Sequence, residues 1–197
     1  GEVASRIVVA AVHDMANDGE PIDTAALKSA VLRANQQVLD AAAKNSSYEG
    51  MGSTATVLHI DEAAQTACYA HVGDSRLYLL RAGALRRISR DHSYVEELVA
   101  RGELSEAEAQ HHPRKNYLLR AVGVEERLHV DGDTFPVMAG DRFLLATDGL
   151  TNMVEDADLC ALLGGNPDDA ARQMVERALD AGGTDNVTAI VIACDPS

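Results

Sequence analysis

Basic residues are scarce in this chain: 17 Lys and Arg stand against 31 Asp and Glu among 197 residues, a formal net charge of −14. Nucleic acid is therefore not an expected partner, because binding a phosphate backbone needs clustered Lys and Arg. Phosphate-bearing substrates remain compatible with that charge when bound cations bring positive charge to one place. Cysteine is scarce as well. Cys68, Cys160 and Cys194 lie far apart, are odd in number and form no CxxC pair, which argues against a disulfide framework and for buried thiols in a reducing cytoplasm. No apolar run approaches the ~20 residues of a membrane-crossing helix. Internal repeats and low-complexity segments are absent. So are three signatures of rival chemistry: no cysteine precedes an arginine at the spacing of a Cys-based phosphatase loop, and there is no Walker A lysine loop and no GxSxG elbow.

What is present suits one globular domain over residues 1–197, with 46% hydrophobic and 24% charged residues. The opening "GEVASRIVVAAVHDMA" goes straight into a helical pattern, with Val3, Ile7, Ala10, Ala11 and Met15 at helical spacing. It has no initiator Met and no preceding strand, and reads as a chain entered partway through its domain. A second helix is expected after Asp23 or Thr24, with Leu27, Val31, Ala34 and Val38 as its apolar stripe. The period then changes. "STATVLHI", "QTACYAHV", "SRLYLLRAG" and "ALRRIS" are short alternating or β-branched runs, expected as an antiparallel meander.

A polar stretch, residues 91–118, interrupts the strands. Its capping pairs, Ser93 with Glu96 and Ser105 with Glu108, predict two short helices, and its place between strands suggests a mobile flap. Strands are expected again at "RLHVDGDTF" and "DRFLLAT". A helix capped by Asn166, opened by Pro167 and ended by Gly182 and Gly183 follows, then a last strand "NVTAIVIA". The order predicts an α+β fold with helices layered on stacked sheets.

Three aspartates stand next to glycine or two residues from it at strand ends: Asp74 in "AHVGDSRLYLL", Asp148 in "RFLLATDGL" and Asp185 in "GGTDNVTAIVIA". Carboxylates based on strand ends can converge, and adjacent glycine lets the backbone approach closely. An oxygen-only set of this kind suits hard cations such as Mg²⁺ or Mn²⁺ rather than zinc. Two such ions about 4 Å apart can lower the pKa of a water and aim it at phosphorus. Asp next to Gly is also an ordinary turn signal, and Asp131, Asp133 and Asp141 are read that way. His13-Asp14 resembles the metal-binding HD pair of another phosphohydrolase class, but it lies mid-helix with no further histidines at ligand-like positions and is set aside. His111-His112 are read as part of a solvated loop, with substrate contact as the alternative. Arg114 and Lys115 could meet a phosphopeptide or, on so acidic a chain, only balance local charge. His71 is read as core packing or as support for a ligand rather than a ligand itself, and Ser75 and Arg76 as structural.

"GMGSTATVL", "AHVGDSRLYLLRAGALRRISRDHS", "LLRAVG", "DRFLLATDGL" and "GGTDNVTAIVI", in this order over nearly the whole chain, resemble the motif series of the bacterial PPM (PP2C-type) protein serine/threonine phosphatases. The resemblance implies a four-layer αββα sandwich of two mainly antiparallel sheets flanked by helices. It also implies a binuclear Mn²⁺ or Mg²⁺ centre and phosphoserine or phosphothreonine in proteins as substrate. Asp148 and Asp185 would then bind the core metals and Asp74 a third, weaker one. Thr147 and Asn186 would support them, and a metal-activated water would attack phosphorus in place of a protein nucleophile. Natural partners would be a Hanks-type kinase or that kinase's substrates.

The family's first motifs would fall just before "GEVAS". They would carry a bridging aspartate, a glycine carbonyl ligand, a histidine proposed as general acid, a phosphate-holding arginine and two inner strands. The expectation is a piece of a longer protein. The alternative is a catalytically incomplete relative that binds phosphoproteins or a kinase as a regulatory module.

Overall fold

The structure is a computed structural model that describes residues 2–195. It forms two compact units, one from the residues up to Gly73 with Asp91–Pro136, the other from Asp74–Arg90 with the residues from Val137 onward.

The first unit opens with α1 (Glu2–Asn17) and α2 (Thr24–Lys44). Leu27, Val31, Ala34 and Val38 of α2 are all buried, and the Asp23 side chain caps the helix by accepting from the Ala26 N–H. In α1 the buried stripe is Ala4, Val8, Ala11 and Met15, one residue later than expected over its first half. Val3 and Ile7 sit at its margin, and Ala10 is exposed. The sequence offered the two registers almost equal hydrophobicity, and packing against α2 chose between them.

Next to these helices lies a three-stranded antiparallel sheet of β1 (Ala55–Asp61), β2 (Thr66–Val72) and β5 (Thr134–Pro136), in the order β1-β2-β5. Helix and sheet close one core around Leu27, Val31, Val38, Ala70, Val72, Val122 and Val130. The polar stretch forms α3 (Tyr94–Ala100) and α4 (Glu106–His111). Ser93 accepts from the Glu96 N–H, and Ser105 and Glu108 make a full capping box. Asp91, His92, Ser93 and Val95 anchor this stretch by burial.

Asn35 pins the loop that follows. Its amide donates to Glu125 O at 2.8 Å and accepts from the Gly123 N–H at 2.6 Å, with the residue 2% exposed. Asn35→Ala would leave both backbone groups unsatisfied. It is expected to cost about 2–3 kcal/mol in denaturant unfolding, and Asn35→Asp should recover part of that by keeping the acceptor for Gly123.

The second unit is a four-stranded antiparallel sheet of β3 (Arg76–Arg81), β4 (Ala84–Arg87), β6 (Arg142–Ala146) and β7 (Ala189–Ala193), ordered β4-β3-β6-β7. Helices α5 (Asp148–Thr151), α6 (Asp156–Leu163) and α7 (Pro167–Asp180) pack on it. Its core joins Tyr78, Leu144 and Ala146 from the strands to Leu150, Leu159, Leu163 and Met174 from the helices.

The expected sandwich class is met: two antiparallel sheets, each with helices packed on it. The expected single meander is not. Its four strands form two hairpins, β1–β2 and β3–β4, that belong to different sheets. The break falls at Gly73, whose φ of +108° ends the extended run of β2. The strand expected at "RLHVDGDTF" also shortens, to Thr134–Pro136 with one isolated bridge between Asp131 and His71.

Candidate metal centre

The two motifs that end in "TDGL" and "TDNV" are fastened to each other in the second unit. β6 and β7 pair from Arg142↔Ala193 to Ala146↔Ala189, so their ends bring Thr147 and Thr188 side by side. The Thr147 N–H donates to Thr188 O at 3.1 Å. The Thr147 hydroxyl accepts from the Thr188 N–H at 3.0 Å and donates to Asn186 O at 3.3 Å. Thr147 therefore acts as a clasp between the strand ends.

Gly149 completes the approach. A Cβ there would overlap Asn186 O and stand 2.9 Å from Asn186 C, so only glycine lets the Asp185–Asn186 turn lie against the start of α5.

That contact brings two carboxylates together. Burial, and then the neighbouring Asp185 carboxylate, push the Asp148 carboxyl above its ordinary range; the Gly149 N–H and the Arg76 guanidinium pull it down by less. Asp185 is exposed and accepts from the Asn186 N–H at 2.7 Å. Asn152 reaches Asp148 Oδ2 only at a long 3.5 Å. Two carboxylates held close enough to repel, one half-buried, form a site whose charge a cation would relieve. The donors are all oxygen, so the fit is to a hard divalent ion.

Asp74 is placed differently. It follows Gly73 into β3 and is half-buried. Among the described residues no three His, Cys, Asp or Glu side chains are grouped to hold a metal ion, so Asp148 and Asp185 come together as a pair and Asp74 does not join them in a cluster of three.

In the first unit, other motifs of the series meet around Gly73. A Cβ on Gly73 would overlap the Thr54 side chain, which packs "GMGST" against "HVGD". The Gly73 carbonyl accepts from the His92 N–H at 2.7 Å, and the Gly73 N–H donates to His92 Nδ1 at 3.2 Å. His92 is thereby a neutral ring with its proton on Nε2, 3.1 Å from Asp131 Oδ2. Burial lowers the His92 pKa, which keeps it in that form, and the Asp131 carboxylate opposes the effect by less.

Asp131 also receives Arg120 at 3.2 Å and lies 3.4 Å from His129 Nε2. This charged cluster was missed in the sequence, where Asp131 was read as a turn former. Its partners Arg120 and His92 are 11 and 39 residues away, beyond any local pattern, and only His129 is a near neighbour in sequence. His71 is fully buried as expected, with Nδ1 3.0 Å from the Thr56 hydroxyl. His13 and Asp14 are about three-quarters exposed on α1. Asp141, read as a turn residue, does accept at a turn from the Met138 N–H, but it is buried and also pairs with Arg81.

Comparison with known proteins places the chain in a family. The family model described as "Protein phosphatase 2C" matches residues 1–189. The serine/threonine phosphatase stp of Listeria monocytogenes is 35% identical over 99% of this chain and 79% of its own length. The crystal structure of the Mycobacterium tuberculosis serine/threonine phosphatase PstP/Ppp matches with a TM-score of 0.91 at 34% identity, over 99% of this chain and 83% of that one. A structure of the PstP catalytic domain in complex with two manganese ions matches with a TM-score of 0.88 at 34% identity, over 97% of this chain and 80% of that one. From the ordered motifs, the two helix-backed antiparallel sheets and these relatives together, the chain belongs to the protein phosphatase 2C family of metal-dependent serine/threonine phosphatases.

Proposed function

We propose that Asp148 and Asp185 are the ligands that hold the core metal ions, that Asp74 serves a further, weaker ion, and that the ions are Mn²⁺ or Mg²⁺. The observation that carries this reading is the paired carboxylates, Asp148 pushed upward by burial and by Asp185. Bound there, divalent ions supply a water of lowered pKa and positive charge for the phosphoryl group.

This chain's own residues do the positioning. The Thr147 clasp fixes the two strand ends, Gly149 lets the Asp185 turn close on α5, and the Asn186 N–H orients the Asp185 carboxylate. Residues 91–118 act as the flap, with Arg114 and Lys115 facing an incoming phosphopeptide. The substrates are phosphorylated proteins, with a Hanks-type kinase or its targets as natural partners in the cytoplasm. No helix among the described residues is long and apolar enough to cross a membrane.

Further strands and metal ligands upstream remain part of this proposal. Two edges support it: β1 and β7 each end a sheet, and β7 is an apolar run whose Ile190 is 52% exposed. Such an edge is an open template for pairing.

The test is phosphate release from a phosphothreonine peptide with Mn²⁺, with Mg²⁺ and with chelator, by this chain and by a form carrying the upstream segment. Release only with added metal and only in the longer form is expected. Asp74→Asn should slow that release while leaving tight metal binding intact. Full release in chelator, or loss of the tight ions on changing Asp74, would overturn the assignment of the sites.

A further inference from the structure

The two ends of the 91–118 stretch meet at a narrow neck. Its sides are zipped by backbone contacts: Ser93 and Leu118 form an antiparallel bridge, the Tyr94 N–H donates to Tyr117 O at 2.8 Å, and the Leu119 N–H donates to His92 O at 2.7 Å. Both sides then reach one carboxylate. His92, on the outgoing side, places Nε2 3.1 Å from Asp131 Oδ2. Arg120, on the returning side, places Nη1 3.2 Å from Asp131 Oδ1. Each side of the neck thus has its own oxygen. Arg120 Nη1 also lies 3.3 Å from His92 Nε2. Because His92 Nδ1 accepts from the Gly73 N–H, both of those nitrogens are donors, and the carboxylate is what they share. Asp131 lies outside the stretch it holds. Its backbone is fixed to β2, donating to His71 O at 3.0 Å and accepting from the His71 N–H at 2.8 Å.

We propose that Asp131 is a positioning residue that latches both ends of the flap to the first sheet, and so sets how readily the flap receives a phosphorylated polypeptide. The inference rests on the reading of residues 91–118 as a flap that meets the substrate through Arg114 and Lys115. A neck held only by its backbone bonds can twist, and the flap helices α3 and α4 then spread over many orientations. Two side chains pinned to separate oxygens of one fixed carboxylate resist that twist. With the latch cut, a polypeptide binds only the fraction of molecules whose flap is placed to receive it, and its apparent affinity falls by that fraction. A small phosphate ester makes no use of the flap and is spared this cost.

The experiment is steady-state kinetics of the full-length protein with Mn²⁺, on a phosphothreonine peptide and on p-nitrophenyl phosphate, with hydrogen exchange across the neck followed by mass spectrometry. Asp131→Ala should raise the KM for the peptide about three- to tenfold and leave its kcat within about twofold, the pattern of a lost binding-competent fraction. Both constants for p-nitrophenyl phosphate should stay within about twofold of the parent's. The segments that hold the Tyr94 and Leu119 N–H groups should exchange at least about tenfold faster, while β1 and β2 keep the parent's rates. His92→Asn keeps an acceptor for the Gly73 N–H and loses the donor to Asp131; Arg120→Met keeps the stem and loses the other donor. Each should give part of the Asp131→Ala effect, the two together all of it, and neither should add to Asp131→Ala. Asp131→Asn, which keeps one oxygen, should fall between the parent and Asp131→Ala. Should Asp131→Ala fail to fold, Arg120→Met and Asp131→Asn carry the same test.

Equal losses on the peptide and on the small ester would overturn the inference, because they would mark Asp131 as a support of the whole unit. Unchanged exchange at the neck would overturn it as well, and so would simple additivity of His92→Asn with Asp131→Ala. The double variant Arg114→Ala, Lys115→Ala is the control on the reading beneath. If it raises the peptide KM while the latch variants do not, the role of Asp131 alone fails. If it leaves the peptide KM at the parent's value, the reading of the flap itself fails.

Discussion

Asp148→Asn and Asp185→Asn, made separately in the full-length protein, are each expected to lower metal-dependent phosphate release by more than about a hundredfold. Changing a group that merely supports a ligand costs about 10–100-fold in affinity or activity, and a direct ligand should exceed that. The same substitutions should leave the metal-free protein at least as stable as the parent. Asp148 is held close to Asp185 in a half-buried setting that disfavours its charge, so an amide removes a repulsion and keeps the shape. Loss of turnover with an unchanged or raised melting temperature would mark the two residues as functional, because a folding defect would lower both. Normal turnover in either variant would reject the assignment. The clasp gives a graded companion: Thr147→Val keeps the volume, removes the hydroxyl bonds to Thr188 and Asn186, and should reduce activity less than either aspartate change.

The convergence of Asp148 and Asp185 at strand ends was more legible in the sequence than the strand pairing around them. Asp148 and Asp185 were visible because each ends or begins an apolar run beside glycine or a small polar residue, a local signal. The helix α2 stripe was visible for a similar reason, since four apolar residues at one spacing leave no second register. In α1 the small residues Ala4, Ala10 and Ala11 blur the stripe, and the buried face shifted by one residue. The assignment of β2 and β3 to different sheets was not legible, because strand pairing depends on contacts far apart in the chain and Gly73 gives only a turn signal. Long-range polar pairs were equally hidden. Asp131 with His92, Asp141 with Arg81, and Tyr78 with Asp156 are joined across 39, 60 and 78 residues.

Arg81→Met is expected to be the most destabilising single change in the second unit outside its apolar core. Arg81 joins β3 to the turn before β6 through a forked pair with Asp141, Nε to Oδ1 at 2.7 Å and Nη2 to Oδ2 at 2.6 Å. The exposure is unequal: the Asp141 side chain is 1% exposed and that of Arg81 30%. Removing the arginine therefore leaves a buried carboxylate facing the Met138 N–H with its cation gone, whereas Asp141→Asn leaves an arginine that water can still reach. The first change should cost about 3–5 kcal/mol, or roughly 6–20 °C in melting temperature for a chain of this size, and the second clearly less.

The pH dependence should separate the two further. In the parent, burial would raise the Asp141 carboxyl, but the hydrogen bonds from Arg81 and the Met138 N–H outweigh it and hold the group below the usual carboxylate range. A depressed acid contributes stability that is present above its unfolded pKa of ~3.9 and is lost as pH falls through the lower folded value. In Arg81→Met, burial acts without its main opponent and the folded pKa rises above the unfolded one. The deficit relative to the parent should then shrink as pH falls from 7 toward 4, because the proton neutralises the stranded charge. Unfolding curves at several pH values check this directly. A deficit that stays constant over that range would mean that Arg81 stabilises the unit through its packing, with its charge on Asp141 contributing little.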